Sequence, residues 1–200
     1  MFITLEGGEG TGKSTQARML ADALRSSGRD VVLTREPGGT EGAEALRSLI
    51  LSREHRWAPA AETMLHFAAR ADHVEGLIRP ALARGATVVC DRFTDSTVAY
   101  QGYGQNADLG LITSLHAALA MNPSLTFVLR VTPEVAAERL AARPIAPDRY
   151  EVADRSFHDR VRAGFDAIAA AAPARCVVVN GDGTRDDVHA AIWSEVLARA

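Results

Sequence analysis

The sequence predicts an α/β domain, a doubly wound parallel sheet of five strands flanked by helices. Three observations carry that prediction. Short apolar runs alternate with longer amphipathic segments along all 200 residues, the pattern of parallel strands joined by crossover helices. The first run is followed by a glycine-rich loop and then a helical segment, the order required of a nucleotide phosphate site. Finally, 200 residues suit one compact domain with a sizeable core, so 1–200 reads as a single unit.

The elements follow in order. Phe2-Ile3-Thr4-Leu5 opens a strand over 2–6, and further apolar runs place strands at 31–34, 86–90, 125–131 and 175–179. Helical spacing marks about 13–27, 41–51, 60–84, 108–120, 133–142, 153–171 and 184–199. Pro133 sits where a first helical residue belongs, with Thr132 as its cap. Gly28, Gly85 and Gly181 punctuate the boundaries. The segment about 142–153 contains Pro144 and Pro147 flanked by arginines and reads as a loop.

Composition excludes several classes. A net charge of −3 gives no basic footprint for nucleic acid. No apolar run approaches the roughly 20 residues of a membrane span, and the N-terminus enters a strand with no signal-peptide pattern. The expected setting is cytoplasmic, with Cys90 and Cys176 as buried free thiols. The six histidines show no metal-ligand spacing and are expected at the surface or an interface.

The chemistry starts at Gly7-Gly8-Glu9-Gly10-Thr11-Gly12-Lys13-Ser14, which fits G-x-x-x-x-G-K-[ST]. Of 22 lysine and arginine residues, only Lys13 is lysine, and it falls where a compact ammonium serves the β- and γ-phosphates. Gly7 through Thr15 form the expected ATP cradle, with Ser14 offering a hydroxyl to Mg²⁺. Asp91, at the end of the third strand, is the expected second Mg²⁺ partner, and Arg92 brings a planar fork suited to an acceptor phosphate. The phosphate loop by itself also suits a nucleotide-dependent switch or assembly ATPase. Such a protein needs no arginine-lined acceptor pocket.

Longer strings narrow the reading. Thr34-Arg35-Glu36-Pro37-Gly38-Gly39-Thr40, Asp91-Arg92-Phe93, Ser96-Thr97-Val98-Ala99-Tyr100-Gln101-Gly102 and Asp148-Arg149-Tyr150-Glu151 resemble bacterial thymidylate kinase across nearly the whole chain. The resemblance implies a P-loop kinase fold, transfer of the γ-phosphoryl of ATP to dTMP in dTTP supply, Mg²⁺ as cofactor, and a homodimer formed through helices in 60–84 and 108–120. It implies catalytic roles for Lys13, Arg92, Glu9 and the lid arginines Arg143 and Arg149. It gives the dTMP site as Glu9, Glu36, Pro37, Arg47, Phe67, Arg70, Arg92, Ser96, Thr97, Tyr100 and Gln101. Within that set, Arg70 reads the thymine edge, Tyr100 packs on the deoxyribose and Arg47 helps hold the acceptor phosphate. The family puts an aromatic residue one helical turn before the base-reading arginine. Here His66 lies four back and Phe67 three back, and Phe67 is the expected stacking partner. Arg139 and Arg155 read as helix-surface residues.

Overall fold

The computed structural model describes residues 1–142, 144 and 148–199. Among these, five strands form one parallel sheet in the order β2-β3-β1-β4-β5: β1 is Phe2–Glu6, β2 Val31–Arg35, β3 Thr87–Asp91, β4 Leu125–Arg130 and β5 Cys176–Asn180. Each lies within a residue or two of its predicted place. Register pairs Ile3 with Val89 on one side and with Leu125 on the other. The inner strands β1, β3 and β4 are covered on both faces, which is why they read as continuous apolar runs rather than alternating ones. Ile3, Leu5, Val89, Leu125, Phe127 and Leu129 pack on one side with the helices α1 (Lys13–Ser26) and α9 (Arg185–Leu197). Phe2, Val88 and Cys90 face the other way. Cys90 and Cys176 are buried free thiols, as expected.

The remaining helices are α2 (Glu41–Leu51), α3 (Pro59–His73), α4 (Arg79–Ala83), α5 (Thr94–Thr97), α6 (Leu109–Leu119), α7 (Pro133–Ala141) and α8 (Arg155–Ala171). The predicted helix 60–84 is α3 and α4 joined by a π-helical turn over Val74–Ile78. The predicted cap at Thr132 is present, and a further one appears at Thr184. Thr132 accepts from the Val135 N–H at the start of α7, and Thr184 with Asp187 forms a capping box on α9. One helical stretch was not predicted. Residues 94–104 form α5 and a second π-helical turn, Val98–Gly104, although their small and polar side chains carry no amphipathic period. Their polar groups are buried and bonded to partners far away in sequence.

The chain crosses from one side of β1 to the other between β3 and β4. Ligands in such sheets bind outside the C-terminal strand ends at that switch point. The glycine-rich loop lies there, held close to β4: Gly7 has φ +135°, and a Cβ on it would sit 2.4 Å from the Leu129 carbonyl oxygen. Gly12, at φ +90°, turns the chain into α1. Gly7→Ala is therefore expected to destabilise the fold by at least about 1–3 kcal/mol. It should lower the midpoint of thermal or urea unfolding, and an unchanged midpoint would show that the loop can give way without strain.

Candidate active site

The loop curls around the side chain of Lys13. Its ammonium is nearly buried and donates to the Gly8 carbonyl at 2.6 Å and to Thr11 Oγ1 at 3.3 Å. Burial, with Arg92 adding repulsion, pushes the Lys13 pKa down to about 8. An anionic phosphate chain placed in the loop restores the charge that burial disfavours. Ser14 Oγ, in the first turn of α1, donates to Asp91 Oδ2 at the end of β3. Asp91 Oδ1 is buried with no hydrogen-bond partner. A hydroxyl and a carboxylate with an uncommitted oxygen, both hard donors, suit Mg²⁺.

Arg92 follows directly, in the left-handed region at φ +72°. That turn sends its guanidinium back over the loop. Nη1 donates to the Gly7 carbonyl at 3.0 Å and to Ser96 Oγ at 3.2 Å, while Nη2 meets Glu9 Oε1 at 2.7 Å. The Tyr100 hydroxyl donates to the same Glu9 oxygen at 2.8 Å. Glu9 thus faces Arg92 and Tyr100. Burial alone would lower the Arg92 pKa, but Glu9 and the neighbouring carboxylates outweigh it and raise it.

A second polar cluster lies beyond Arg92. Arg70, buried on α3, donates from Nε to Glu36 Oε2 at 2.7 Å and from Nη2 to Thr97 Oγ1 at 3.0 Å. Its Nη1 is buried without a partner. Glu36 precedes Pro37 through a cis peptide bond and also contacts His73 Nδ1 at 3.0 Å. Arg47 Nη1 donates to the Pro37 carbonyl at 2.7 Å. Near Arg70, Gln101 and Tyr150 converge on the buried carboxylate of Glu62. One cleft of about 780 Å³ runs from the phosphate loop past Arg92 to His66, Arg70 and Gln101.

A family model described as thymidylate kinase matches residues 5–192. The thymidylate kinase of Caulobacter vibrioides is 51% identical over 201 residues, covering 99% of this chain and 96% of its own. The chain belongs to the thymidylate kinase family. The thymidylate kinase of Gluconobacter oxydans is 51% identical over 200 residues, covering 98% and 94%. The crystal structure of thymidylate kinase from Ehrlichia chaffeensis matches with a TM-score of 0.82 at 36% identity over 98% of both chains.

In this thymidylate kinase family member the cleft brings together Glu9, Lys13, Ser14, Glu36, Pro37, Arg47, Arg70, Asp91, Arg92, Ser96, Thr97, Tyr100 and Gln101. Two expected site residues are placed otherwise. Phe67 packs in the core with Ala107 and Ile112, its ring 4.7 Å from the Arg70 guanidinium, and His66 lines the cleft instead. Arg149 is held away from the phosphate loop, with Nη1 on the Ile50 carbonyl at 3.3 Å and Nη2 2.7 Å from Glu62 Oε2. Arg143 lies outside the described residues. His66 and His73 are buried rather than at the surface, because Tyr150 and Glu36 bond them. Arg139 lines the cleft near the loop, donating to the Gly181 carbonyl at 2.9 Å, rather than lying on an outer helix surface.

Sequence reasoning missed Glu6 and Glu62. The available signal was an acid inside an apolar strand run and an acid in the first turn of a buried helix. Glu6 is fully buried and accepts from the Phe93 N–H at 2.7 Å and from Ser96 Oγ at 2.6 Å, bracing the turn that carries Arg92. Burial, then Asp95, push its carboxyl up to about 8 from an ordinary 4.5. Between those two values the folded chain holds a proton that the unfolded chain has lost, so this group erodes stability as pH rises through the window. Glu6→Gln is expected to flatten the fall in Tm from pH 5 to pH 8. An identical slope in the variant would show that Glu6 titrates normally.

Proposed function

We propose that this protein transfers the γ-phosphoryl of ATP to dTMP, giving ADP and dTDP, as a step in dTTP supply. The observation that carries the reading is the state of Arg70. Two of its nitrogens are committed to Glu36 and Thr97, and its third, Nη1, is buried and unpaired. A buried guanidinium N–H left unsatisfied is costly, and a pyrimidine carbonyl at this end of the cleft satisfies it. The phosphate loop lies at the other end of the same cleft, so a nucleoside monophosphate seated on Arg70 extends its phosphate towards the γ-phosphoryl of ATP.

In this reading the backbone of 8–15 and Lys13 hold the triphosphate. Arg92 takes the acceptor phosphate, with Arg47 assisting. Ser14 and Asp91 would hold Mg²⁺, which supplies charge neutralisation between the β- and γ-phosphates. Glu9 orients Arg92 and meets the 3′-hydroxyl. Tyr100 fills the space that a 2′-hydroxyl would occupy. The reaction is a direct in-line displacement, in which the chain contributes positioning and charge rather than a covalent intermediate. Arg149 is the lid arginine that neutralises the transferring phosphoryl once it leaves Glu62, and Arg143 is its companion by resemblance.

The working form is a cytoplasmic homodimer. Supporting this, α6 is Leu-Gly-Leu-Ile-Thr-Ser-Leu-His-Ala-Ala-Leu, yet Ile112 is its sole buried residue. Met64 of α3 and Leu109 of α6 are 52% and 45% exposed. An unpartnered apolar face of this kind is what a second copy would cover.

A coupled ADP-release assay against a panel of nucleoside monophosphates tests the function. dTMP should be the preferred acceptor, and Lys13→Ala should abolish turnover while leaving dTMP affinity largely intact. ADP formation that is independent of any acceptor would instead favour the switch or assembly ATPase.

A further inference from the structure

Glu62 lies in the first turn of α3 and is fully buried. Its Oε1 lies within hydrogen-bond distance of three donors: the Tyr150 hydroxyl at 2.6 Å, Gln105 Nε2 at 2.7 Å and Gln101 Nε2 at 3.0 Å. Oε2 forms a close ion pair with Arg149 rather than an aligned hydrogen bond.

We propose that Glu62 is the positioning residue for base specificity: by holding the Gln101 amide in one orientation, it decides which pyrimidine edge the cleft accepts. The proposal rests on the reading of the cleft given above and adds a determinant to it.

The argument is a count of protons. A carboxylate accepts and does not donate, so Gln101 must turn its NH₂ towards Glu62. The opposite orientation would set a carbonyl oxygen 3.0 Å from a buried carboxylate oxygen, two acceptors facing each other with no proton between them. The second Gln101 N–H is also placed, since Nε2 reaches the Tyr150 hydroxyl at 3.1 Å. That hydroxyl has one proton, and its shortest contact directs it to Glu62. Its oxygen is left to accept from Gln101 and from His66 Nε2 at 3.0 Å. His66 can fill this role as a neutral ring, its pKa pushed down to about 3 by burial and by the Arg70 and Arg149 charges. The protons of Gln101 Nε2 and of the Tyr150 hydroxyl are then all assigned.

Both Gln101 N–H groups are thus spent inside the network, and the atom of this cleft-lining amide that remains for a ligand is Oε1, an acceptor. Nearby, Arg70 Nη1 is a donor without a partner. An acceptor beside a donor matches an imide edge, the N3–H and O4 of a thymine-type ring. Cytosine presents the reverse at those positions, a bare N3 and an amino group, and meets acceptor with acceptor and donor with donor. Tyr100 and Ser96 have no part in this discrimination, because they sit at the sugar and phosphate end.

Glu62→Gln tests it. A carboxamide at 62 can offer an N–H to Gln101, which frees the Gln101 amide to flip and present its own N–H to the cleft. The ratio of kcat/KM for dTMP to that for dCMP is expected to fall at least tenfold, chiefly through a raised KM for dTMP, with KM for ATP and Tm little changed. Equal losses for both acceptors, or an unchanged ratio, overturn the assignment, because a merely structural role lowers both together. Should the variant fold poorly, side-chain amide NMR on the unaltered protein serves instead. The Gln101 NH₂ protons should show contacts to the Tyr150 ring with and without dTMP, and their loss on adding dTMP overturns the proposal. If the unaltered protein shows no preference for dTMP over dCMP, the reading of the cleft fails first and Glu62 with it.

Discussion

The geometry of this site depends on where one guanidinium is held. Arg92 sits where the chain leaves β3, in a left-handed conformation that an arginine adopts only when its surroundings impose it. The surroundings do so from both sides. Glu6 bonds the next backbone N–H and the Ser96 hydroxyl, and Gly7 O, Ser96, Glu9 and Tyr100 all contact the guanidinium. The same group therefore touches both the phosphate loop and, through Ser96 and Tyr100, the wall of the cleft beyond it. In the proposed function its fork would set how far apart two anionic tails lie, and its charge would offset the repulsion between them.

Around that contact the protein carries more buried charge than an apolar core would tolerate. Glu36, Glu62 and Arg70 are all within a few per cent of full burial. Such groups are weak sources of stability, because desolvation consumes much of the Coulombic gain. What they provide is direction. Each carboxylate accepts from several donors at fixed positions, so each donor's remaining valence points in one way only. Arg70 is oriented by Glu36 and Thr97, Gln101 by Glu62, and Arg92 by Glu9. The helices bring the polar groups together, and the carboxylates choose the orientation.

Much of this was legible in the sequence, for reasons specific to each part. The inner strands, buried on both faces, announce themselves as unbroken apolar runs, and the cap at Thr132 is local chemistry. The phosphate loop is legible because its glycines meet backbone constraints that other residues cannot. The segment 94–104 was not, since its helix is held by side-chain bonds to Glu6, Arg70 and Glu62 rather than by an apolar period. The choice between His66 and Phe67 could not be made from spacing, because residues three and four before Arg70 both fall on its side of the helix. The position of Arg149 was hidden for a further reason: a charged side chain goes to whichever buried carboxylate is nearest, and Glu62 is brought there only by the fold.

The central claim is that donor and acceptor tails meet in one continuous cleft with Arg92 between them. The most direct measurement is calorimetric binding of a single molecule that joins adenosine and thymidine through a chain of phosphates. The account requires one molecule bound per chain, displaced completely by ATP and equally by dTMP. Two molecules per chain, or displacement by one nucleotide with indifference to the other, would place the tails in separate sites and contradict it.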